Sequence, residues 1–414
     1  MNEPSTPARH AIAASAGGAG LLLMGGGART AYQAGVLAAI GELIGGGPAS
    51  PFDKIAGTSA GAINGAFLAA NAGGWPAAAV DLVDLWRGLT PGRVYSTEWL
   101  NWYLHGARWV SWLALPRLMR SRPESLLDNA PMVESLHEVI DTGAIERSLA
   151  AGTLDYFAVS ASSYTSGRHV TFYSCARELA PWSRPGRVAV PARIGIDHLV
   201  ASAALPFVFA PVPLPIDGGI EYFGDGTMRQ LAPLSPLVHA GATRILAIGV
   251  GPGQRAGLFD AGPARSGDEP AKPTLAQIAG HALASIMFDA LPTDVERLQR
   301  ANEALALIPP GLGDAFPLRP VEILTINPSR PIEELALGHI RDLPPRVRAF
   351  LRTFGGTEQN GMALASYLMF EPAFTAELVA LGRADALRRA AEIRGFFGTK
   401  AWAGPVTGGA GAFR

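Results

Sequence analysis

An α/β protein with a mostly parallel central sheet is what this sequence predicts, and three features of its pattern predict it. A strand, a glycine-rich loop and a helix follow one another twice within the first seventy residues, the grammar of parallel strands joined by helical crossovers. Short apolar runs such as "GLLLM" (20–24) and "RILAIGV" (244–250) are bounded by glycines, as fully buried strands are. The chain has 414 residues and is 48% hydrophobic, enough for a large core.

In chain order, residues 1–18 are rich in Ala, Gly, Ser and Pro without periodicity and are predicted to be a disordered leader. "GLLLM" is the first strand and ends in Gly25-Gly26-Gly27. Val36, Leu37, Ile40, Leu43 and Ile44 then recur at helical spacing. "FDKIAG" (52–57) is the second strand, and the small residues of "SAGAINGAFLAANA" (59–72) make a helix able to lie close on a sheet. "LDYFAVSASSY" and "RHVTFYSC" flank Thr165-Ser166-Gly167 and read as a hairpin. "IDHLVASAALPFVFA" reads as helical up to Pro206. "VPLPI" and "IEYFG" are extended pieces on either side of Asp217-Gly218-Gly219. A catalytic domain is therefore expected over 19–250, then a Gly/Pro/Ala-rich linker at 251–273. A mainly helical region follows at 274–400, with helices at about 274–305, 341–353 and 372–396 around the strand "VEILTIN" (321–327), and a loose tail at 401–414.

A formal net charge of −1 offers nothing to nucleic acid. The single Cys175 excludes an internal disulfide and suits a reducing compartment. Eight scattered histidines lack metal-ligand spacing, so neither metal nor cofactor is expected. No signal-like apolar segment follows the N-terminus, and no run reaches the ~20 apolar residues of a membrane span. A cytoplasmic location, at most peripheral to a membrane, is the expectation.

Gly57-Thr58-Ser59-Ala60-Gly61 sits where the second strand gives way to its helix. In a nucleophile elbow the serine occupies a strained turn, and small flanking residues let helix and strand approach. The same five residues also describe a serine that merely caps a helix. Gly25-Gly26-Gly27-Ala28 can converge backbone N–H groups on one anion, as an oxyanion requires. It can equally be a packing turn. Neither the dinucleotide-binding glycine pattern nor the P-loop is present, because Thr30 occupies the sixth position and no Gly-Lys-Ser/Thr follows. The base is open at this point: Asp217, Asp225, or a histidine among His239, His281 and His339.

Three stretches in this order, "GGGARTAYQAGVLAAI", "GTSAGAINGAFLA" and "ASAALPFVFAPVPL…YFGDGTMRQLAPLSPLVHAGATRILAI", resemble the patatin-like phospholipase family over about residues 20–250. "FDALPTDVERLQRAN" and "ASYLMFEP" are similar to bacterial members with a C-terminal helical extension. The resemblance implies a three-layer α/β/α fold and a lipid acyl hydrolase of the phospholipase A or lysophospholipase kind. It also implies a serine–aspartate dyad without histidine: Ser59 as nucleophile, and Gly25, Gly26, Gly27 and Ala28 as oxyanion hole. Gly57, Gly61, Arg29 and Gly226 are its motif neighbours.

Which aspartate completes the dyad turns on position. Asp217-Gly218-Gly219 matches the family's letters better, yet it lies between two extended pieces, where Asp-Gly signals a hairpin turn. Asp225 follows the second piece and precedes "GTMRQLAPLSPL", at a strand end entering a helix, so Asp225 is assigned as base. It would need an apolar pocket to raise its pKa. Thr227 stands where the family has Gly or Ala and adds a hydroxyl beside the dyad. Thr30 stands where it usually has Gly. Arg29 would contact a lipid phosphate or a structural partner.

Trp99, Trp102, Trp109 and Trp112 fall in one segment together with Arg108, Arg117, Arg120 and Arg122. This segment (99–122) reads either as a peripheral membrane contact or as a buried accessory stripe. Two alternatives stand beside the dyad hydrolase: a Ser-Asp-His esterase or thioesterase, and a catalytically silent lipid-binding relative. Oligomeric state, headgroup and acyl chain are not encoded legibly.

Overall fold

The structure, a computed structural model, describes residues 18–45, 49–96, 127–251, 290–309, 318–353 and 362–398. The expected leader before Gly18, the Trp/Arg segment, the linker beyond Gly251, His281 and the tail lie outside these residues.

Among the described residues ten strands form one sheet: β1 (Ala19–Leu23), β2 (Lys54–Thr58), β3 (Tyr156–Ser163), β4 (His169–Cys175), β5 (Ser183–Arg184), β6 (Arg187–Pro191), β7 (Val212–Ile216), β8 (Gly219–Asp225), β9 (Arg244–Ile248) and β10 (Glu322–Ile326). Its order is β10-β9-β1-β2-β3-β4-β6-β5, and β10 through β3 run parallel. The β3–β4 pair is antiparallel, so the sheet is mixed but mostly parallel.

Alternation along the buried strands feeds two cores. Leu21, Leu23, Ile55, Phe157, Val159, Leu246 and Ile248 face one layer, packed with α1 (Ala31–Ile44), α2 (Ala60–Ala70), α3 (Trp75–Gly88) and the helix Pro372–Arg388. Leu22, Ala56, Tyr156, Ala158, Ile245 and Ala247 face the other, with the helices Ser235–His239 and Leu291–Ala306. Helices on both faces make the three-layer α/β/α architecture the sequence predicts.

The β7–β8 hairpin turns on Asp217 (φ 51°) and Gly218 (φ 81°), the two positive-φ residues of a tight primed turn. Its buried side holds Leu214, Ile216 and Phe223. Pro213 and Pro215 sit on β7, whose one partner among the described residues is β8, so the prolines blunt the other edge against further strand pairing.

The helix expected to reach Pro206 ends earlier, spanning Ile196–Ala203. Two reasons apply. The residue before proline is pushed out of the α region, and the carbonyls at this end are taken by another segment: Ser202 O accepts from Gly226 N (3.1 Å) and Ala204 O from Asp225 N (2.9 Å).

The described residues C-terminal to 290 share the same sheet and core. β10 extends it beside β9, and the helix Pro372–Arg388 lies directly on α1. They cross at two glycines: a Cβ on Gly35 would lie 2.0 Å from Val379 O, and one on Gly382 would lie 2.1 Å from Tyr32 O. Helix propensity alone favours alanine over glycine by up to ~1 kcal/mol, whereas overpacking costs about 1–3 kcal/mol. Gly382→Ala is therefore expected to lower stability by about 2 kcal/mol in urea unfolding. An unchanged or higher midpoint would contradict this close crossing.

Candidate active site

The site forms at the carboxyl ends of β1 and β2, the edge at which open parallel sheets collect their chemistry. Ser59 directly follows β2 and caps α2 with φ 55° and ψ −135°, a conformation that non-glycine residues rarely hold. Packing enforces it. A Cβ at Gly57 would sit 2.5 Å from Ala62 Cα, and one at Gly61 would sit 2.5 Å from both Leu23 O and Met24 O. The Gly-x-Ser-x-Gly letters thus mark a helix pressed onto strand ends. The Ser59 N–H donates to Ser202 Oγ (2.8 Å), which in turn donates to Ser160 O (2.6 Å).

Asp225 arrives by strand register. β2 pairs along β3 until Thr58 meets Ser160. From Ala161 onward β8 takes over that edge, with Ala161 opposite Asp225. Two residues adjacent to the ends of different strands are thereby set side by side, and Ser59 Oγ donates to Asp225 Oδ2 at 2.7 Å. The other carboxylate oxygen, Oδ1, accepts from Thr227 N (2.8 Å) and Thr227 Oγ1 (2.7 Å). Asp225 is 1% exposed. Burial pushes its pKa above the usual carboxylate value, opposed by the bonds from Thr227 and Ser59.

The two Asp-Gly pairs are told apart by their glycines. A Cβ on Gly218 would meet nothing within 4 Å, so that glycine serves only its positive φ. A Cβ on Gly226 would lie 2.0 Å from Ser160 O, so this one lets the segment press against β3. Asp217 is exposed and pairs with Arg168.

The glycine loop lies over the serine. A Cβ on Gly25 would sit 2.8 Å from Ser59 Cβ, and Gly27 (φ 54°) fits against the backbone of Tyr367. The N–H groups of Gly25, Gly26, Gly27 and Ala28 donate to no acceptor among the described residues. A buried, mutually bonded set of polar side chains braces the loop from behind. Gln33 Nε2 donates to Met24 O (2.7 Å), and Asn64 Nδ2 donates to Gln33 Oε1 (3.0 Å) and Thr30 O (3.2 Å). Trp86 Nε1 donates to Asn64 Oδ1 (2.8 Å). Thr30 fits the turn without glycine because its backbone is right-handed (φ −71°), and its hydroxyl adds a bond to Gly27 O (2.7 Å). Arg29 takes the structural role: it is 4% exposed, bonds Ser366 Oγ (2.7 Å) and Glu333 (2.7 Å), and stacks on Tyr367.

The two candidate histidines among the described residues, His239 and His339, are engaged elsewhere. His239 Nδ1 bonds Ser235 O at 3.0 Å, and His339 lies between Asp342 and Glu377. His169, which the sequence pattern did not single out, is buried on β4 with Nε2 3.1 Å from Gly226 O. Burial lowers its pKa to about 4, so it is neutral and acts as a donor that fixes the Asp-Gly segment.

Ser59 and Asp225 open on a cavity of about 290 Å³ lined by Ile63, Trp86, Leu136, Leu205, Phe209, Leu368 and Phe370 among others. Leu368 and Phe370, with Tyr367, come from the C-terminal part of the chain. Tyr95 holds this wall by donating to Leu368 O (3.0 Å), and Thr375 Oγ1 reaches Trp86 O (3.0 Å). Sequence periodicity gave no sign of this contribution. Ser202 had one, as the serine of "SAALP".

No helix among the described residues is long and apolar enough to cross a membrane. The sequence model of a family described as patatin-like phospholipase matches residues 21–238, more than half of the chain. No curated protein sequence matches. A solved structure of VipD from Legionella pneumophila aligns over 92% of this chain and 67% of its own, at 11% identity and a TM-score of 0.32.

Proposed function

The chain belongs to the patatin-like phospholipase family, and from that premise we propose that it is a lipid acyl hydrolase working through Ser59 and Asp225. One observation carries the reading: a strained serine hydroxyl 2.7 Å from a desolvated carboxylate, at the end of an apolar cavity.

In this mechanism Ser59 Oγ attacks the ester carbonyl carbon as its proton passes to Asp225 Oδ2. The carbonyl oxygen becomes an oxyanion beside the N–H groups of the 25–28 loop, where one donor is worth about 3 kcal/mol in the transition state. The bond to the leaving alkoxide then breaks, and the alkoxide takes the proton from Asp225. Water repeats the sequence on the acyl-enzyme, giving its proton to Asp225 and releasing the fatty acid as Ser59 recovers its hydrogen. Desolvation makes Asp225 a stronger base than an exposed aspartate. The α2 N-terminus beneath Ser59 favours negative charge there. The apolar lining suits an acyl chain, since such pockets bind by area removed from water.

Release of free fatty acid from phosphatidylcholine, lysophosphatidylcholine and p-nitrophenyl esters tests the proposal. Turnover of at least one acyl ester is expected, and absence of release from all of them overturns it. On its Trp and Arg content, segment 99–122 is proposed as the membrane contact. Conversion of its tryptophans to Ser is expected to weaken binding to anionic liposomes, and undiminished binding would remove that assignment.

A further inference from the structure

Within the dyad reading, one residue does more than the family pattern asks of its position. Thr227 stands where that pattern has Gly or Ala, and it commits both its N–H and its hydroxyl to Asp225 Oδ1. Asp225 is buried, and its hydrogen bonds come from Thr227 and Ser59. Burial pushes this carboxyl's pKa upward, toward the protonated form that cannot act as a base. Hydrogen bonds donated to the ionised form oppose that lift, and a hydroxyl on Oδ1 also leaves Oδ2 as the oxygen turned to Ser59.

We propose that Thr227 is a positioning residue of the dyad: its hydroxyl, donating to Oδ1, favours the carboxylate form of Asp225 and presents Oδ2 to the nucleophile. The titratable groups facing Asp225 from neighbouring elements do not compete for this role. Tyr164, on the β3–β4 connection, is pushed up to about 12, chiefly by burial and further by the Asp225 charge. His169, on β4, is lowered to about 4 and bonds Gly226 O. Both are neutral between about pH 6 and pH 9. Gly25 packs against the Thr227 methyl, so the side chain is also wedged under the glycine loop.

The test compares kcat/KM against pH for wild type, Thr227→Val and Thr227→Ser on p-nitrophenyl butyrate. Valine keeps the shape and the backbone N–H bond but removes the hydroxyl. Its acid limb is expected to move up by about one pH unit, a charge-assisted hydrogen bond being worth roughly that much. A loss of about tenfold below the limb, in kcat rather than KM, should narrow as pH rises. Serine is expected to restore the wild-type limb. A Val profile superimposed on wild type overturns the proposal, as do equal losses in Val and Ser with an unmoved limb, which mark a packing role only. If Val does not fold, Thr227→Ala carries the same comparison with Ser. Failure here is distinct from failure of the dyad itself, which would appear as full activity in Asp225→Asn.

Discussion

Asp225→Asn is expected to lower kcat/KM by about 10³-fold or more while leaving the protein folded, and Asp217→Asn to leave turnover unchanged. The magnitude follows from the loss of a positioned general base. The fold should survive because an amide satisfies the same bonds. Its oxygen can accept from Thr227 N and Oγ1 where Oδ1 does now, and its NH₂ can donate to Ser59 Oγ. Stability should even rise at neutral pH. A carboxyl whose folded pKa lies above its unfolded value contributes stability below the unfolded value and loses it as pH rises through the folded one. Removing the ionisable group removes that loss. Thermal unfolding of both variants at pH 7 checks the second half. Asp217→Asn retaining activity and Asp225→Asn losing it would separate two Asp-Gly pairs that look alike in sequence; the reverse result would contradict the assignment.

Ser59→Ala is expected to cost on the order of 10⁴-fold or more, since no other hydroxyl bonds Asp225 Oδ2 among the described residues. The more informative variant is the double one. If Ser59 and Asp225 act as one unit, Ser59→Ala/Asp225→Asn loses little more than Ser59→Ala alone, because a base without its nucleophile has nothing to deprotonate. Multiplicative losses would mean that the two residues act independently, against a dyad. Active-site Ala also removes Oγ without relieving the φ of 55° at this residue, so the strained elbow should persist in the inactive protein.

Much of this site was legible because its letters record close backbone approach. Gly57 and Gly61 are needed where a helix meets strand ends, and Asp217-Gly218 is a turn for reasons local to the hairpin. The preference for Asp225 over Asp217 came from position, a strand end entering a helix against a hairpin turn, once the resemblance had called for an aspartate. Other features depend on contacts that no local pattern carries. Arg29 is consumed by Glu333 and Ser366, some three hundred residues away. Tyr367, Leu368 and Phe370 wall the cavity because the helix Pro372–Arg388 crosses α1 at Gly35 and Gly382. His169 reads in sequence as one alternating position on a strand. Its bond to Gly226 exists only because β8 joins the opposite edge of β3.

The most direct measurement of the central claim is peptide mapping by mass spectrometry after reaction with an alkyl fluorophosphonate, which traps a serine activated for attack. A single adduct on Ser59 in the wild type, strongly reduced in Asp225→Asn and intact in His169→Gln, is the expected result. An adduct on another serine, or undiminished labelling of Ser59 without the Asp225 carboxylate, would contradict it.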